Sequence, residues 1–148
     1  HVGEADPYAS IKSQCNREAM KMFPATREKI LRAKDPLTTA LKYAIAGNLI
    51  DYGLEHPVSI DDQNEQIDAI AESPFARDDS EALRKAISQA ETMLYLGDNA
   101  GEIVFDKLLI EEIQREYPQV QISFVVKGSA VLNDVTRTDA LEVGMDRG

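Results

Sequence analysis

The sequence predicts an α/β protein, in which a helical N-terminal part is followed by a Rossmann-like βαβ unit of a parallel, three-layer α/β/α sheet. Two observations predict this class. Apolar residues recur at helical spacing through residues 1–90, and a strand–helix–strand pattern lies within residues 91–148. The two strands should be parallel, because a helix that crosses over the sheet connects parallel neighbours. We therefore expect a helical region over 1–90 and the start of an α/β domain over 91–148.

The first helix is predicted to begin at Asp6-Pro7, because Asp caps helix N-termini and Pro is tolerated in the first turn. It is expected to end at Phe23-Pro24, since an internal proline removes a helical hydrogen bond. The basic stretch TREKILRAK then forms a short helical segment of its own. The apolar stripe of the first helix comprises Tyr8, Ile11, Cys15, Ala19 and Met22.

A second helix is predicted from Asp35-Pro36 to a stop at Gly53 by the same start signal and a terminal glycine. Residues 61–81 are strongly acidic and carry a single basic side chain. Apolar residues still mark one face of this segment, so a solvated helix surface is favoured over an acidic patch that binds a partner. That face comprises Ile67, Ile70 and Ala71.

After a helix over about Ser80–Ala90, two short apolar runs predict strands. TMLYL at 92–96 is interpreted as a buried strand, and VQISFVV at 120–126 is the second. Residues 102–117 lie between them with apolar side chains at helical intervals. This is the predicted βαβ unit.

Polar side chains follow both strands at the point where each strand ends. Asp98 and Asn99 come after the first strand, and Lys127 and Asp134 come after the second. Ligands of open parallel sheets bind at this edge, because the carboxyl ends of the strands and helix N-termini meet there. If the two strands are neighbours, these four side chains can lie close together.

The chemistry of these residue types points to a metal and an anion. Two carboxylates and an amide oxygen are hard ligands that suit Mg²⁺ or Mn²⁺. Lys127 adds a positive charge, and the helix that follows Asn99 offers backbone N–H groups to an anion. This combination suits a phosphate ester, whose phosphoryl oxygen a metal can polarise.

Spacing alone also permits plainer interpretations. Asn99 and Glu102 are spaced like a capping box, which stabilises a helix without any ligand. Asn133 or Asp134 could cap the last helix in the same way. The segment GDNAGE matches neither a dinucleotide-binding fingerprint nor a P-loop.

Several segments, in order, resemble the metal-dependent damage-control phosphatase family, also known as domain of unknown function eighty-nine. They are AGNLIDYG at 46–53, LGDNAGEIVFDKLLIE at 96–111 and VVKGSAVLNDVTRTDA at 125–140, and DPYASIKSQCNREAM is similar to the family's N-terminal helical region. The resemblance implies an α/β/α domain that hydrolyses phosphorylated metabolites, often sugar phosphates or damaged cofactor intermediates. It also implies that this chain is an N-terminal and central fragment, with the phosphatase domain incomplete at its C-terminus.

The resemblance assigns site residues as well. Asp98, Asn99 and Asp134 match the family's metal ligands and would be the catalytic centre, with Mn, Co, Ni or Mg as the metal. Asn48, Glu102 and Lys127 are expected to bind substrate. On spacing alone, Asn48 could equally be a solvated or capping residue near a helix end, and the role of Asp51 beside it stays open.

Composition excludes several other function classes. Lys and Arg number 16 against 26 Asp and Glu, and the net charge of −10 argues against binding the phosphate backbone of nucleic acid. We expect no membrane partner, because no apolar run reaches the roughly 20 residues of a span. We expect a cytoplasmic setting, since no export signal is visible and Cys15 is the only cysteine.

Three functions therefore compete. The first is a metal-dependent phosphatase that acts on small phosphorylated metabolites. The second is a non-catalytic, receiver-like α/β module that binds a metal through an acidic pocket. The third is a helical module whose acidic surface docks a partner. A receiver alternates strands and helices from its first residues, whereas here helices alone precede the first strand, and this favours the phosphatase.

Overall fold

The computed structural model describes residues 6–50 and 59–146, apart from the side chain of Ile60. Its elements in chain order are α1 (Ala9–Arg32), α2 (Pro36–Leu49), α3 (Ile60–Glu72), α4 (Ser80–Ser88), β1 (Thr92–Leu96), α5 (Glu102–Glu116), β2 (Gln121–Val125) and α6 (Arg137–Glu142). β1 and β2 pair in parallel, from Thr92 opposite Gln121 to Leu96 opposite Val125. The predicted α/β class and its βαβ unit are confirmed. Within the described ranges, no helix is both long and apolar enough to cross a bilayer.

The first helix is longer than the sequence predicts. The expected end at Phe23-Pro24 is wrong: α1 continues through Pro24 to Arg32 and absorbs the segment that was expected to form a separate helix. Pro24 is exposed, whereas Met22, Thr26 and Ile30 are buried on either side of it. Burial of this flanking face offsets the lost hydrogen bond of an internal proline, whose cost is about 3 kcal/mol.

The second helix begins where predicted and ends earlier. The Asp35 side chain accepts a hydrogen bond from the Thr38 backbone N–H and so caps α2. The helix ends at Leu49, since Ile50 is already extended, and the predicted stop at Gly53 lies outside the described residues. Gly47 in its last turn permits close packing on α5, because a Cβ atom there would lie 2.7 Å from Cδ2 of Phe105.

The helices cover one face of the sheet. Met93, Tyr95, Ile122 and Phe124 point into a core shared with α1, α2 and α5. On the opposite face Leu94, Leu96 and Val125 are exposed, and no helix of the described residues covers them. The expectation that β1 is a buried strand is therefore wrong for one of its faces, because side chains alternate across a strand and only one layer of helices packs here. The acidic helix α3 does present a solvated surface, with Ile67 and Ala71 buried beneath it.

Candidate metal and substrate site

Two loops meet at the carboxyl ends of the strands. The loop after β1 and the loop after β2 are joined by backbone hydrogen bonds, in which Val135 N donates to Asp98 O at 2.7 Å and Ala100 N donates to Asn133 O at 3.0 Å. These bonds pair the backbones of Asn99 and Asp134 in an antiparallel bridge. The three predicted ligands therefore lie on adjoining backbone at one edge of the sheet, as the strand order requires.

The side chain of Asn99 connects its two acidic neighbours. Its amide Nδ2 donates to Asp98 Oδ2 at 3.1 Å and to Glu102 Oε2 at 3.0 Å. The capping-box interpretation is wrong, because the N-cap of α5 is Gly101 and no side chain caps it. Gly101 has φ 85°, in the left-handed region that favours glycine. The side chain of Asn99 thus binds two carboxylates, and it does not cap the N-terminus of α5.

The second loop contributes a carboxylate and a cation. Lys127 Nζ lies 3.4 Å from Asp134 Oδ2, and the lysine side chain is half exposed. The alternative in which Asn133 or Asp134 caps the last helix is wrong as well. The cap of α6 is Thr136, which forms a capping box with Asp139. The carboxylate of Asp134 is therefore not used as a helix cap, and it lies at the edge of the sheet where the predicted metal ligands meet.

A cleft of about 330 Å³ lies between α2 and α5, beside this edge. Asn48 and Glu102 both line it, so the structure brings these two predicted substrate-binding residues together. The amide of Asn48 stands on an exposed part of α2 rather than in the core. Apolar side chains of α2 and Leu109 of α5 form the apolar part of the wall that the structure describes.

The cleft also contains a polar pair that sequence reasoning missed. The Tyr95 hydroxyl donates to Asp106 Oδ1 at 2.6 Å, and both residues line the cleft. Burial raises the pKa of Asp106 to about 7, the Tyr95 hydrogen bond opposes this shift, and the nearby negative charges of Glu102 and Asp98 add to it. The signal was a carboxylate within the apolar run of α5, four residues after Glu102.

A second polar group, on α1, was missed for a similar reason. Lys12 and Asn16 are both buried; Lys12 contacts the second loop and Asn16 contacts the first. In the sequence they lie beside the apolar stripe of a helix, where polar residues are usually exposed. Their spacing of one helical turn, next to Cys15 and Ala19 on the buried face, was the available signal.

The donor set at the edge fits a hard divalent cation. Asp98 and Asp134 supply carboxylate oxygens and Asn99 an amide, which are ligand types of Mg²⁺ and Mn²⁺ sites that keep several waters. Among the described residues no group of three or more His, Cys, Asp or Glu side chains could hold a metal. Two carboxylates with an amide oxygen and solvent are compatible with a hard cation, because all of these donors are oxygen atoms.

This arrangement defines an α/β protein whose candidate site combines hard oxygen donors, a lysine and an adjoining cleft at the ends of parallel strands. The sequence profile of the damage-control phosphatase ARMT1-like domain matches residues 1–147, and the chain belongs to this family. The predicted family is thereby confirmed.

Two archaeal relatives are named damage-control phosphatases. The one from Archaeoglobus fulgidus is 33% identical over 99% of this chain and 50% of its own length. The one from Pyrococcus horikoshii is 31% identical over 99% of this chain and 49% of its own length. A crystal structure of a DUF89 family protein from Pyrococcus horikoshii superposes with a TM-score of 0.86 at 30% identity, covering 98% of this chain and 49% of that one. The chain thus spans about half the length of the relatives it matches.

Proposed function

We propose that the protein is a divalent-metal-dependent phosphatase that hydrolyses small phosphorylated metabolites, such as sugar phosphates or damaged cofactor intermediates. The observation that carries this proposal is the convergence of Asp98, Asn99 and Asp134 on hydrogen-bonded loops at the ends of two parallel strands. Family membership and relatives named damage-control phosphatases support it.

In this proposal Asp98, Asn99 and Asp134 hold the metal, which is Mn, Co, Ni or Mg. When bound, such an ion polarises a phosphoryl oxygen and lowers the pKa of coordinated water. Asn99 keeps the Asp98 carboxylate oriented through its 3.1 Å hydrogen bond. Because the carboxylates alone would repel an anionic ester, a positive charge at the edge is also needed.

Lys127 supplies that charge from the chain itself. Its ammonium group stands at the loop edge, half exposed, and forms an ion pair with Asp134. A flexible lysine that is only partly desolvated can turn toward a phosphate at little energetic cost. Asn48 and Glu102 line the adjoining cleft and would contact the alcohol portion of the ester.

The metal site is tested by thermal unfolding with Mn²⁺. A cation present at 100 times its Kd stabilises the native state by about 2.7 kcal/mol, which raises Tm by several degrees in a domain of this size. We expect the Mn²⁺-dependent shift in the parent chain and its loss in Asp98→Asn and Asp134→Asn. The control is Glu65→Gln, an exposed carboxylate on α3, which should keep the full shift.

The activity is tested on the native-length protein with a panel of phosphomonoesters. We expect phosphate release that depends on the added metal and falls at least 100-fold in Asp98→Asn. A protein that binds Mn²⁺ through these residues and yet hydrolyses no ester in the panel would contradict the phosphatase proposal. A protein with no Mn²⁺ response at all would contradict the metal site.

A further inference from the structure

The N-terminal half of α1 carries two polar side chains that are buried more deeply than most of the apolar core. Lys12 is 1% exposed and Asn16 is fully buried. They lie one helical turn apart and therefore on the same face of the helix. A lysine is almost never buried to this extent without partners, so the contacts of the two residues indicate their role.

Lys12 binds the second loop and the helix α6 that follows it. Its Nζ atom lies 2.8 Å from Asp139 Oδ2 and 3.3 Å from the backbone carbonyl oxygen of Asp134. Asp139 Oδ2 also accepts hydrogen bonds from the backbone N–H and the hydroxyl of Thr136. The lysine is thus connected directly to the peptide of a candidate metal ligand, and to the capping box that starts α6.

Asn16 binds the first loop. Its Oδ1 accepts a hydrogen bond from the backbone N–H of Gly101 at 2.8 Å, and its Nδ2 donates to Glu142 Oε2 at 3.1 Å. Gly101 is the N-cap of α5, two residues after the candidate ligand Asn99. One face of α1 therefore contacts both loops of the candidate site, at points close to a ligand in each.

The charge of Lys12 is compensated, so its presence does not oppose binding of a cation nearby. Besides Asp139, it pairs with Asp6 Oδ2 at 2.6 Å. One lysine and two carboxylates carry a net negative charge. Apolar side chains could bury the same helix face without the cost of desolvating a lysine. They could not, however, fix the Asp134 carbonyl and the Gly101 N–H, which need a donor and an acceptor respectively.

We propose that Lys12 and Asn16 are positioning residues, which hold the loops of Asp98–Gly101 and Asn133–Thr136 in the relative placement that lets Asp98, Asn99 and Asp134 bind one divalent cation. This inference rests on the proposed function, because it assumes that the cation binds there. Supporting residues of this kind typically change metal affinity by 10- to 100-fold when they are replaced.

The test is the Kd of Mn²⁺, measured by isothermal titration calorimetry on the 148-residue chain well below its Tm. We expect Asn16→Ala, which changes no charge, to raise the Kd at least tenfold, and Lys12→Met to do the same. Asn16→Ala also keeps the test decisive if Lys12→Met fails to fold. In the parent chain, Mn²⁺ should slow hydrogen exchange of the Gly101 amide, and this protection should disappear in Asn16→Ala.

Two control variants on the same helix separate positioning from charge and from stability. Lys21→Met removes an exposed lysine that forms an ion pair with Glu18. Ile30→Ala destabilises the core about 27 Å along the helix from Lys12. Both should keep the parent Kd within about twofold, although Ile30→Ala lowers Tm.

The outcomes distinguish this inference from the proposed function. If the parent binds Mn²⁺ and Asn16→Ala binds it equally well, the positioning role is overturned and the metal site stands. The same holds if Ile30→Ala weakens binding as much as Asn16→Ala, because the effect would then follow stability alone. If the parent binds no Mn²⁺, the metal site and this inference are both overturned.

Discussion

The pKa values of two buried carboxylates, Asp139 and Asp106, are shifted in opposite directions. Both are only about 5% exposed or less. For Asp139, burial by itself would raise the pKa, but hydrogen bonds from Lys12 and Thr136 outweigh it and hold the pKa below the ordinary value of 3.8. For Asp106, burial raises the pKa to about 7, and one hydroxyl, from Tyr95, does not compensate.

The difference shows that partners decide the ionisation of a buried carboxylate. Asp139 has a cation and two further donors and remains charged, which suits a fixed structural link between α1 and α6. Asp106 faces the negative charges of Glu102 and Asp98 and is close to half protonated near neutral pH. A group of this kind at the wall of a cleft can accept or donate a hydrogen bond to whatever occupies the cleft.

The largest effect is expected when Asp139 loses its cation. Lys12→Met should lower the free energy of unfolding at pH 7 by about 3–5 kcal/mol, because it leaves a buried carboxylate without its charged partner. Urea denaturation measures this change. The double variant Lys12→Met with Asp139→Asn should recover part of the loss, since it removes the unpaired charge. A loss below about 1 kcal/mol in the single variant would show that water replaces the lysine.

The next effect is a pH dependence of opposite sign at the two carboxylates. The pKa of folded Asp106 lies above that of the unfolded chain, so the wild-type protein loses stability as the pH rises from about 4 to about 7. Asp106→Asn does not titrate, so its free energy of unfolding relative to that of the wild type should rise across this window, by up to about 4 kcal/mol. Chemical denaturation from pH 2 to pH 8 measures the difference.

Asp139→Asn is the matched comparison in the same experiment. The pKa of folded Asp139 is lowered, so its contribution to stability is present above about pH 4 and is lost as the pH falls through the folded pKa. The deficit of Asp139→Asn should therefore shrink toward acid pH, where the gain of Asp106→Asn also disappears. Parallel curves for the two variants would contradict the assignment of opposite shifts.

The smallest effect concerns the Tyr95 hydroxyl, which stabilises ionised Asp106. Tyr95→Phe should cost about 1–2 kcal/mol and should raise the pKa of Asp106 further, because the hydrogen bond from Tyr95 lowers it. The readout is the midpoint of the pH dependence of stability, which should move upward. Tyr43→Phe is the control: its hydroxyl bonds Asp68, which also pairs with Lys29 on the surface, so this variant should leave that midpoint unchanged.

Much of the βαβ unit was predictable from the sequence, for local reasons. β1 was predicted at 92–96 and observed at Thr92–Leu96. β2 is one residue shorter than predicted at each end, and α5 is one residue shorter at its C-terminal end. Short apolar runs between Gly, Asn and Pro signals specify such elements without help from distant contacts. The end of α1 was wrong because tertiary burial around Pro24 outweighed a local signal.

The candidate site was predictable in part. Strand order places Asp98, Asn99 and Asp134 at one edge, and the structure joins their loops there. Whether these three bind a metal stays a prediction. The capping interpretations of Asn99 and Asp134 failed because they relied on spacing, whereas the actual caps, Gly101 and Thr136, are set by the path of the two loops.

The sequence by itself determined which segments are helix and strand, that the two strands are parallel, and which polar residues follow them. These properties depend on periodicity and on short-range steric preferences, which a linear chain displays directly. Only the tertiary structure decided that Lys12 and Asn16 face inward, that Asp106 is shielded from solvent, and that one face of the sheet is exposed. Burial and ion pairing join residues far apart in the chain, as Lys12 and Asp139 are, and no local pattern specifies which partner a buried charge will meet.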